Sequence, residues 1–190
     1  TRNGNVLDVV NASWVADGMQ FDASGEYAHL DNTDQIVNSE AGTIIIRFKG
    51  LSSIDDATDN SLFSHRGAGN HYGDFDVLVK SPYVYFIFVD NVGTHSLYVS
   101  TSFFPNWEIG FQLAVQWDID NAIYNGQNMA INVDGVYVYT GASNATGWNS
   151  FTVASNLTIG NDYENTTKFC NGIISQLDIY NRVLNETELK

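Results

Sequence analysis

Apolar side chains in this chain recur at every second residue and almost nowhere at the three-and-four spacing of a helix. Alternation of that kind commits a chain to strands, because successive side chains on a strand leave opposite faces. Over 43–48, Ile44, Ile46 and Phe48 fall on one face. Over 75–79 the set is Phe75, Val77 and Val79, and over 111–117 it is Leu113, Val115 and Trp117. Ser81 and Pro82 break the chain before a strand at 83–89, and Asp90–Gly93 turns it toward another beginning at Ser96. Asp134-Gly135, between 129–133 and 136–139, is the dipeptide that a tight hairpin favours. Segments 157–160 and 172–180 complete the set. The one helical turn expected is Asn185–Leu189, where Asn185 and Glu188 stand at capping-box spacing. Many short strands separated by Gly, Asn and Asp predict an all-β sandwich or barrel. No linker, low-complexity tract or repeat divides the 190 residues, so 1–190 reads as a single domain.

Charge removes several functions. Asp and Glu number 22 against 8 Lys and Arg, for a net −14. Nucleic acid and anionic membrane surfaces both require clustered cations, so neither is an expected partner. The longest apolar run, Tyr83–Val89, is far short of the roughly 20 residues of a membrane-spanning helix. Membrane insertion is therefore not expected. A chain that starts at Thr1 without a leader reads as part of a larger chain or assembly. Cys170 is alone, which forbids an internal disulfide and any multi-cysteine metal site.

Eight pieces in order carry a family resemblance: Gly18–Asp22, Tyr27–Leu30, Gly42–Phe48, Leu113–Asp118, Ile131–Gly135, Leu157–Gly160, Phe169–Gly172 and Ile179–Glu188. Together they resemble the laminin-G-like branch of the concanavalin A-like lectin/glucanase superfamily, over about Gly18 to Lys190. The resemblance implies an antiparallel jelly roll of two sheets, with a short helical turn after the last strand. Such domains bind glycans, bind proteins or act as spacers, so function has to be argued from the site.

Catalysis is the first possibility to weigh. Glucanases of the superfamily carry a Glu-x-Asp-x-x-Glu strand, and retention needs two carboxyls about 5–5.5 Å apart. The nearest counterpart is Gln116–Asp120, where Gln116 takes the place of a Glu and no further Glu follows. The Arg-rich strand and Gln-x-His triplet of alginate lyases are missing too. His65 and His71 flank Arg66 and a glycine-rich stretch that could hold a general base, although a lone loop histidine is usually just polar. Cys170, beside Phe169, reads as buried and inert. An enzyme is therefore not expected.

Calcium is the expected cofactor, if there is one. Asp118, Asp120, Asn121 and Asn125 leave a strand and enter a loop of hard oxygen donors. The loop resembles the metal loop of legume lectins, Asp118 matching the bridging Asp, while Gln116 and Asn128 argue against a transition metal. A solvated acidic hairpin loop is the competing reading. Asp55, Asp56, Asp59 and Asn60 form a second, weaker cluster. At the family's other calcium position Ser175 replaces an Asp, whereas Asp22 keeps its counterpart.

Glycan binding needs exposed rings, with amides and carboxylates nearby for the hydroxyls. Trp117 and Trp107 read as core. Tyr83 with Tyr85, and Tyr137 with Tyr139, share faces; Tyr72 and Trp148 sit in polar loops beside Asn70, Asp74 and Asn149. Five Asn-x-Ser/Thr sequons occur (Asn11, Asn144, Asn156, Asn165 and Asn185), close to what so Asn-, Ser- and Thr-rich a chain gives by chance. The expected function is non-catalytic recognition of glycan or a surface protein, outside the cell on a cell or virion surface, with Tyr72, Tyr83, Tyr85 and Trp148 as contacts. A self-associating assembly module is the alternative, and a carbohydrate-active enzyme comes third.

Overall fold

The computed structural model describes residues 7–23, 25–31, 37–38, 40–51, 60–66, 75–80, 82–89, 93–100, 102, 107–138, 141–143, 156–162 and 165–190. In chain order the strands are β1 (Asp8–Val10), β2 (Ser13–Val15), β3 (Gly18–Phe21), β4 (Tyr27–Asp31), β5 (Ala41–Gly50), β6 (Asn60–Arg66), β7 (Phe75–Lys80), β8 (Tyr83–Val89) and β9 (Thr94–Ser100). They continue as β10 (Phe111–Asp118), β11 (Met129–Val133), β12 (Val136–Val138), β13 (Gly141–Ser143), β14 (Asn156–Ile159), β15 (Asn161–Asp162), β16 (Asn165–Phe169) and β17 (Gly172–Tyr180). Eight of them form a sheet in the order β1-β4-β14-β6-β7-β8-β9-β13, and seven form a second in the order β12-β11-β10-β5-β17-β3-β2. Every pairing in both sheets is antiparallel. The expected antiparallel sandwich is the fold observed.

The core lies where the inward halves of the alternating patterns meet. Ile44, Ile46, Phe48, Leu113, Val115 and Trp117 come from the seven-stranded sheet, and Phe75, Val77, Val84, Phe86 and Phe88 from the eight-stranded one. Trp117 reaches across the gap: its ring centroid lies 4.8 Å from that of Phe75 and 6.0 Å from that of Phe86. Its indole nitrogen donates to the Asn38 carbonyl at 2.8 Å, so the polar tip is satisfied although the ring is buried. Gly42 faces Trp117 across the β5–β10 ladder, and a Cβ there would stand 2.2 Å from the ring. The hairpin at Asp134-Gly135 has φ values of 50° and 84°, the left-handed pair that a two-residue turn requires.

Two features depart from simple alternation. Ile45 points away from the core yet is buried, because the chain after β17 folds back over the outer face of the seven-stranded sheet. Leu184 and Leu189 cover Ile45 and Ala114 there. The turn is built as its spacing predicts: Asn185 Oδ1 accepts the Thr187 and Glu188 amides at 2.9 and 3.1 Å, and Glu188 accepts the Asn185 amide at 3.0 Å. The second departure is β6, which alternation did not single out. A bulge between Ser61 and Phe63 puts both Leu62 and Phe63 in the core and turns His65 inward as well.

Gly42→Ala should lower stability by about 1–3 kcal/mol through overpacking, and Trp117→Ala by about 3–5 kcal/mol through loss of the ring. Chemical denaturation of the two variants checks both. Glu188 supplies a pH test. The Arg182 guanidinium, followed by the Asn185 amide, holds its carboxyl down at about 2 from an ordinary 4.5. A depressed carboxyl stabilises above its unfolded value and loses that contribution as pH falls through its folded one. The C-terminal turn should therefore loosen between about pH 4.5 and 2, and Glu188→Gln should flatten that part of the stability profile.

Candidate functional site

The outer face of the eight-stranded sheet carries the ring cluster. On β8 the even residues Val84, Phe86 and Phe88 are buried in the core, so Tyr83, Tyr85, Ile87 and Val89 take the other face and are half-buried. On β9 the same alternation puts His95, Leu97 and Val99 inside and Ser96, Tyr98 and Ser100 outside. Register then places Tyr98 opposite Tyr85, with Ser100 opposite Tyr83. Three tyrosine rings consequently gather, with centroids 5.9 Å apart for Tyr83–Tyr85, 5.0 Å for Tyr83–Tyr98 and 5.7 Å for Tyr85–Tyr98. Interplanar angles of 74°, 70° and 42° make the cluster faceted rather than a flat stack. Leu78 of β7 lies beside Tyr85 and Lys80 beside Tyr83.

A polar row runs next to the rings. Register lines up Thr158, Ser64, Asp76, Ile87 and Ser96 across β14, β6, β7, β8 and β9. Ser64, Asp76 and Thr158 are buried, and the Ser64 hydroxyl donates to Asp76 Oδ1 at 2.7 Å. Ser64 and Asp76 are thus bonded within the sheet, and beside the rings it is the half-buried Ser96 and Ser100 of β9 that offer hydroxyls, a combination that suits a ligand with apolar and hydroxylated faces. The row continues through His29 to Asp8, whose carboxylate is four strands from that of Asp76, or roughly 19 Å at about 4.8 Å per strand, far beyond the ~5–5.5 Å of a retaining pair.

Of the residues singled out from sequence, the structure brings Tyr83 and Tyr85 together and adds Tyr98, which sequence reading passed over. A signal existed: in a hairpin, residues equidistant from the turn pair, and Tyr85 and Tyr98 are equidistant from Asn91–Val92. Tyr72, Trp148, Asn70, Asp74 and Asn149 lie outside the described residues, as do His71, Tyr139 and the acidic stretch 55–59. His65 is a correction. It stands in β6 with its ring turned into the interior, not in a loop where it could serve as a general base. Cys170 is fully buried, which pushes its thiol well above the ordinary range and keeps it un-ionised.

Gln116, standing where a glucanase would carry a Glu, has a structural task. Its amide nitrogen donates to Leu184 O at 2.8 Å and to Thr43 Oγ1 at 3.2 Å, and its oxygen accepts from Tyr137 Oη at 2.8 Å. It lies fully buried beneath the C-terminal turn, away from the tyrosine face. Burial, and then the Glu186 charge, raise the Tyr137 hydroxyl above its usual range, so it stays a donor to Gln116.

The Asp118 loop closes on itself. Asp118 Oδ1 accepts the Asp120 and Asn121 amides, each at 3.0 Å, and the Asn121 side-chain nitrogen at 3.2 Å; Oδ2 accepts that nitrogen at 3.2 Å as well. Asn128 Nδ2 donates to the Asp118, Ile119 and Asn121 carbonyls at 2.7, 3.2 and 3.2 Å. Asn125 sits in the turn at φ 49°. Asp118, Asp120 and Asn121 do come together, but Asp118 is already bonded by donors of its own loop. Among the described residues no group of three or more His, Cys, Asp or Glu could hold a metal. A Ca²⁺ ion would have to displace Asn121, so the arrangement does not fit a pre-formed site. At the other family position Ser175 occupies a bulge in β17, and its hydroxyl donates to Arg47 O at 3.5 Å, while Asp22 accepts Gln20 Nε2 at 2.7 Å.

Asp118→Ala should cost about 1 kcal/mol or more by freeing three loop donors, and should do so equally in millimolar Ca²⁺ and in EDTA. Melting curves of the parent and the variant under both conditions check this; a Ca²⁺-dependent rise for the parent alone would restore the metal reading.

Comparison with known proteins places this geometry. A laminin-G-type model described as the concanavalin A-like lectin/glucanases superfamily matches residues 22–190. No curated protein matches the sequence. Among solved structures, the binding domain of botulinum neurotoxin serotype G superposes with a TM-score of 0.71 at 15% identity, covering 98% of this chain and 45% of that one. A second, described by the statement that cell entry of botulinum neurotoxin type C is dependent upon interaction with two ganglioside molecules, gives 0.71 at 12%, over 97% and 45%. A Trypanosoma rangeli sialidase gives 0.66 at 15%, over 97% and 28%. This chain spans less than half the length of each, so their ligands and activities are theirs. Identities this low speak for the fold alone, whereas the family match runs through nearly the whole chain: it belongs to the laminin-G-like branch of the concanavalin A-like lectin/glucanase superfamily.

Proposed function

We propose that this domain is a non-catalytic glycan-recognition module, presented outside the cell as part of a larger chain. One observation carries the reading. Tyr83, Tyr85 and Tyr98 cluster on an outer sheet face beside a row of hydroxyls. A sugar offers C–H faces and a rim of hydroxyls. Half-buried tyrosine rings cover the former at little cost in side-chain order, and Ser96, Ser100 and the tyrosine hydroxyls can bond the latter. The superfamily and the toxin binding domains of like fold support carbohydrate recognition as the class of function. The net charge of −14 favours neutral glycans at this face.

Assembly is the second reading, because Trp14 on the edge strand β2 is 71% exposed and could equally meet another protein surface. The two readings use different residues and separate by experiment. A glycan array on the parent, followed by titration of Tyr83→Ala/Tyr85→Ala and of Tyr98→Ala, should show affinity falling about tenfold or more with solution mass unchanged. Absence of any glycan binding by the parent, together with a drop in mass for Trp14→Ala, would overturn recognition in favour of assembly.

A further inference from the structure

An open groove of about 610 Å³ lies on the opposite side of the sandwich, on the outer face of the seven-stranded sheet. Arg47 and Lys49 of β5, two residues apart, point to that face because Ile46 and Phe48 point inward. Their Cα atoms are therefore about 6.5–7 Å apart. Lys190 lines the groove too, so three of the eight Lys and Arg of a strongly acidic chain converge on one cavity. Ile173 forms apolar floor and Ile109, 77% exposed, forms a wall.

Arg47 is held ready. Its Nε donates to Gln112 Oε1 at 3.2 Å, and Gln112 is itself tied to the Leu189 carbonyl at 2.6 Å and, through its amide, to Asp134 Oδ1 at 2.8 Å. The terminal guanidinium nitrogens have no partner among the described residues, so a two-pronged donor is left facing the groove. Lys49 has only a loose pairing with Asp17, 3.7 Å away and solvent-exposed, which water and salt screen. Asp17 and Asp134 bring two negative charges to the rim, but Asp134 is already engaged by the Gln112 amide.

We propose that this groove binds an acidic sugar through its carboxylate. A planar carboxylate matches the arginine fork in both distance and shape, while Lys49 and Lys190 add charge and the isoleucines take the ring's C–H face. The topology argues against an acidic peptide. β5 lies between β10 and β17, and β17 between β5 and β3, so the sheet beneath the groove has no free edge for an extended peptide to join. A compact ligand held by side chains is what remains, and the volume suits one. Arg47, Lys49 and Lys190 outnumber the rim carboxylates Asp17 and Asp134, so the groove is locally positive and the −14 net charge that disfavours anions at the tyrosine face does not decide binding here.

The test titrates glucuronate, glucose and inorganic sulfate separately into the parent, Arg47→Gln, Arg47→Lys and Tyr83→Ala/Tyr85→Ala, with circular dichroism confirming the fold. The expected result is saturable glucuronate binding that Arg47→Gln weakens at least about tenfold and Arg47→Lys by less, with glucose and sulfate much weaker. The tyrosine double variant should bind glucuronate as the parent does, which keeps this site separate from the tyrosine face whichever of the two fails. The proposal is overturned if sulfate binds as tightly as glucuronate, if Arg47→Gln changes nothing, or if no glucuronate binding saturates by about 10 mM.

Discussion

Trp117 against Gly42, Phe75 and Phe86 is the contact on which the sandwich rests. A β-sandwich needs its two inner faces to interlock across about 10 Å. Trp117, on a central strand of one sheet, packs against rings from two adjacent strands of the other. Its bulk is accommodated because residue 42 has no side chain, and its N–H is satisfied by Asn38. Phe75, Phe86 and Phe88 are thereby held inward, and strand geometry then requires Tyr85 and Ile87 to face out. The tyrosine cluster is thus a by-product of core packing combined with hairpin register.

The two outer faces have been put to different uses. On the seven-stranded sheet the C-terminal turn seals Ile45 and Ala114 under Leu184 and Leu189, with Gln116, Thr43 and Tyr137 bonded beneath it. Gln116, where the family resemblance would put a glucanase carboxylate, serves here as an anchor for the tail, and a neutral amide suits a buried position better than a carboxylate would. Beyond the turn the same face opens into the cationic groove. On the eight-stranded sheet the outward-facing Tyr83, Tyr85 and Tyr98 are half-buried.

Sequence made most of this fold legible because alternation is a direct image of burial. The strands 43–48, 75–79, 83–89, 111–117, 129–133 and 172–180 all lie within strands of the structure, and the Asn185 cap forms. The β6 strand was illegible, since its bulge breaks the period and its buried residues include Ser61, Ser64 and His65. The site was harder to read than the fold. Tyr98 gains its meaning only by pairing with Tyr85, a fact of register rather than composition. The Asp118 loop is legible in another way. Its run of oxygen donors describes equally a cation site and a loop that bonds itself, and the bonds that Asn121 gives the Asp118 carboxylate are a matter of three-dimensional placement that composition does not carry.

The β8–β9 hairpin divides its residues into two sets that answer to different demands. Val84, Phe86, Phe88, Leu97 and Val99 answer to the core, while Tyr83, Tyr85, Ile87, Ser96, Tyr98 and Ser100 are outside it. Substitutions in the outer set leave the packing of the inner set in place. Such a hairpin can drift through many surface chemistries while the sandwich stays intact, which makes it a natural place to randomise when a new binding preference is wanted. It also means that relatives sharing this fold need share nothing at these six positions.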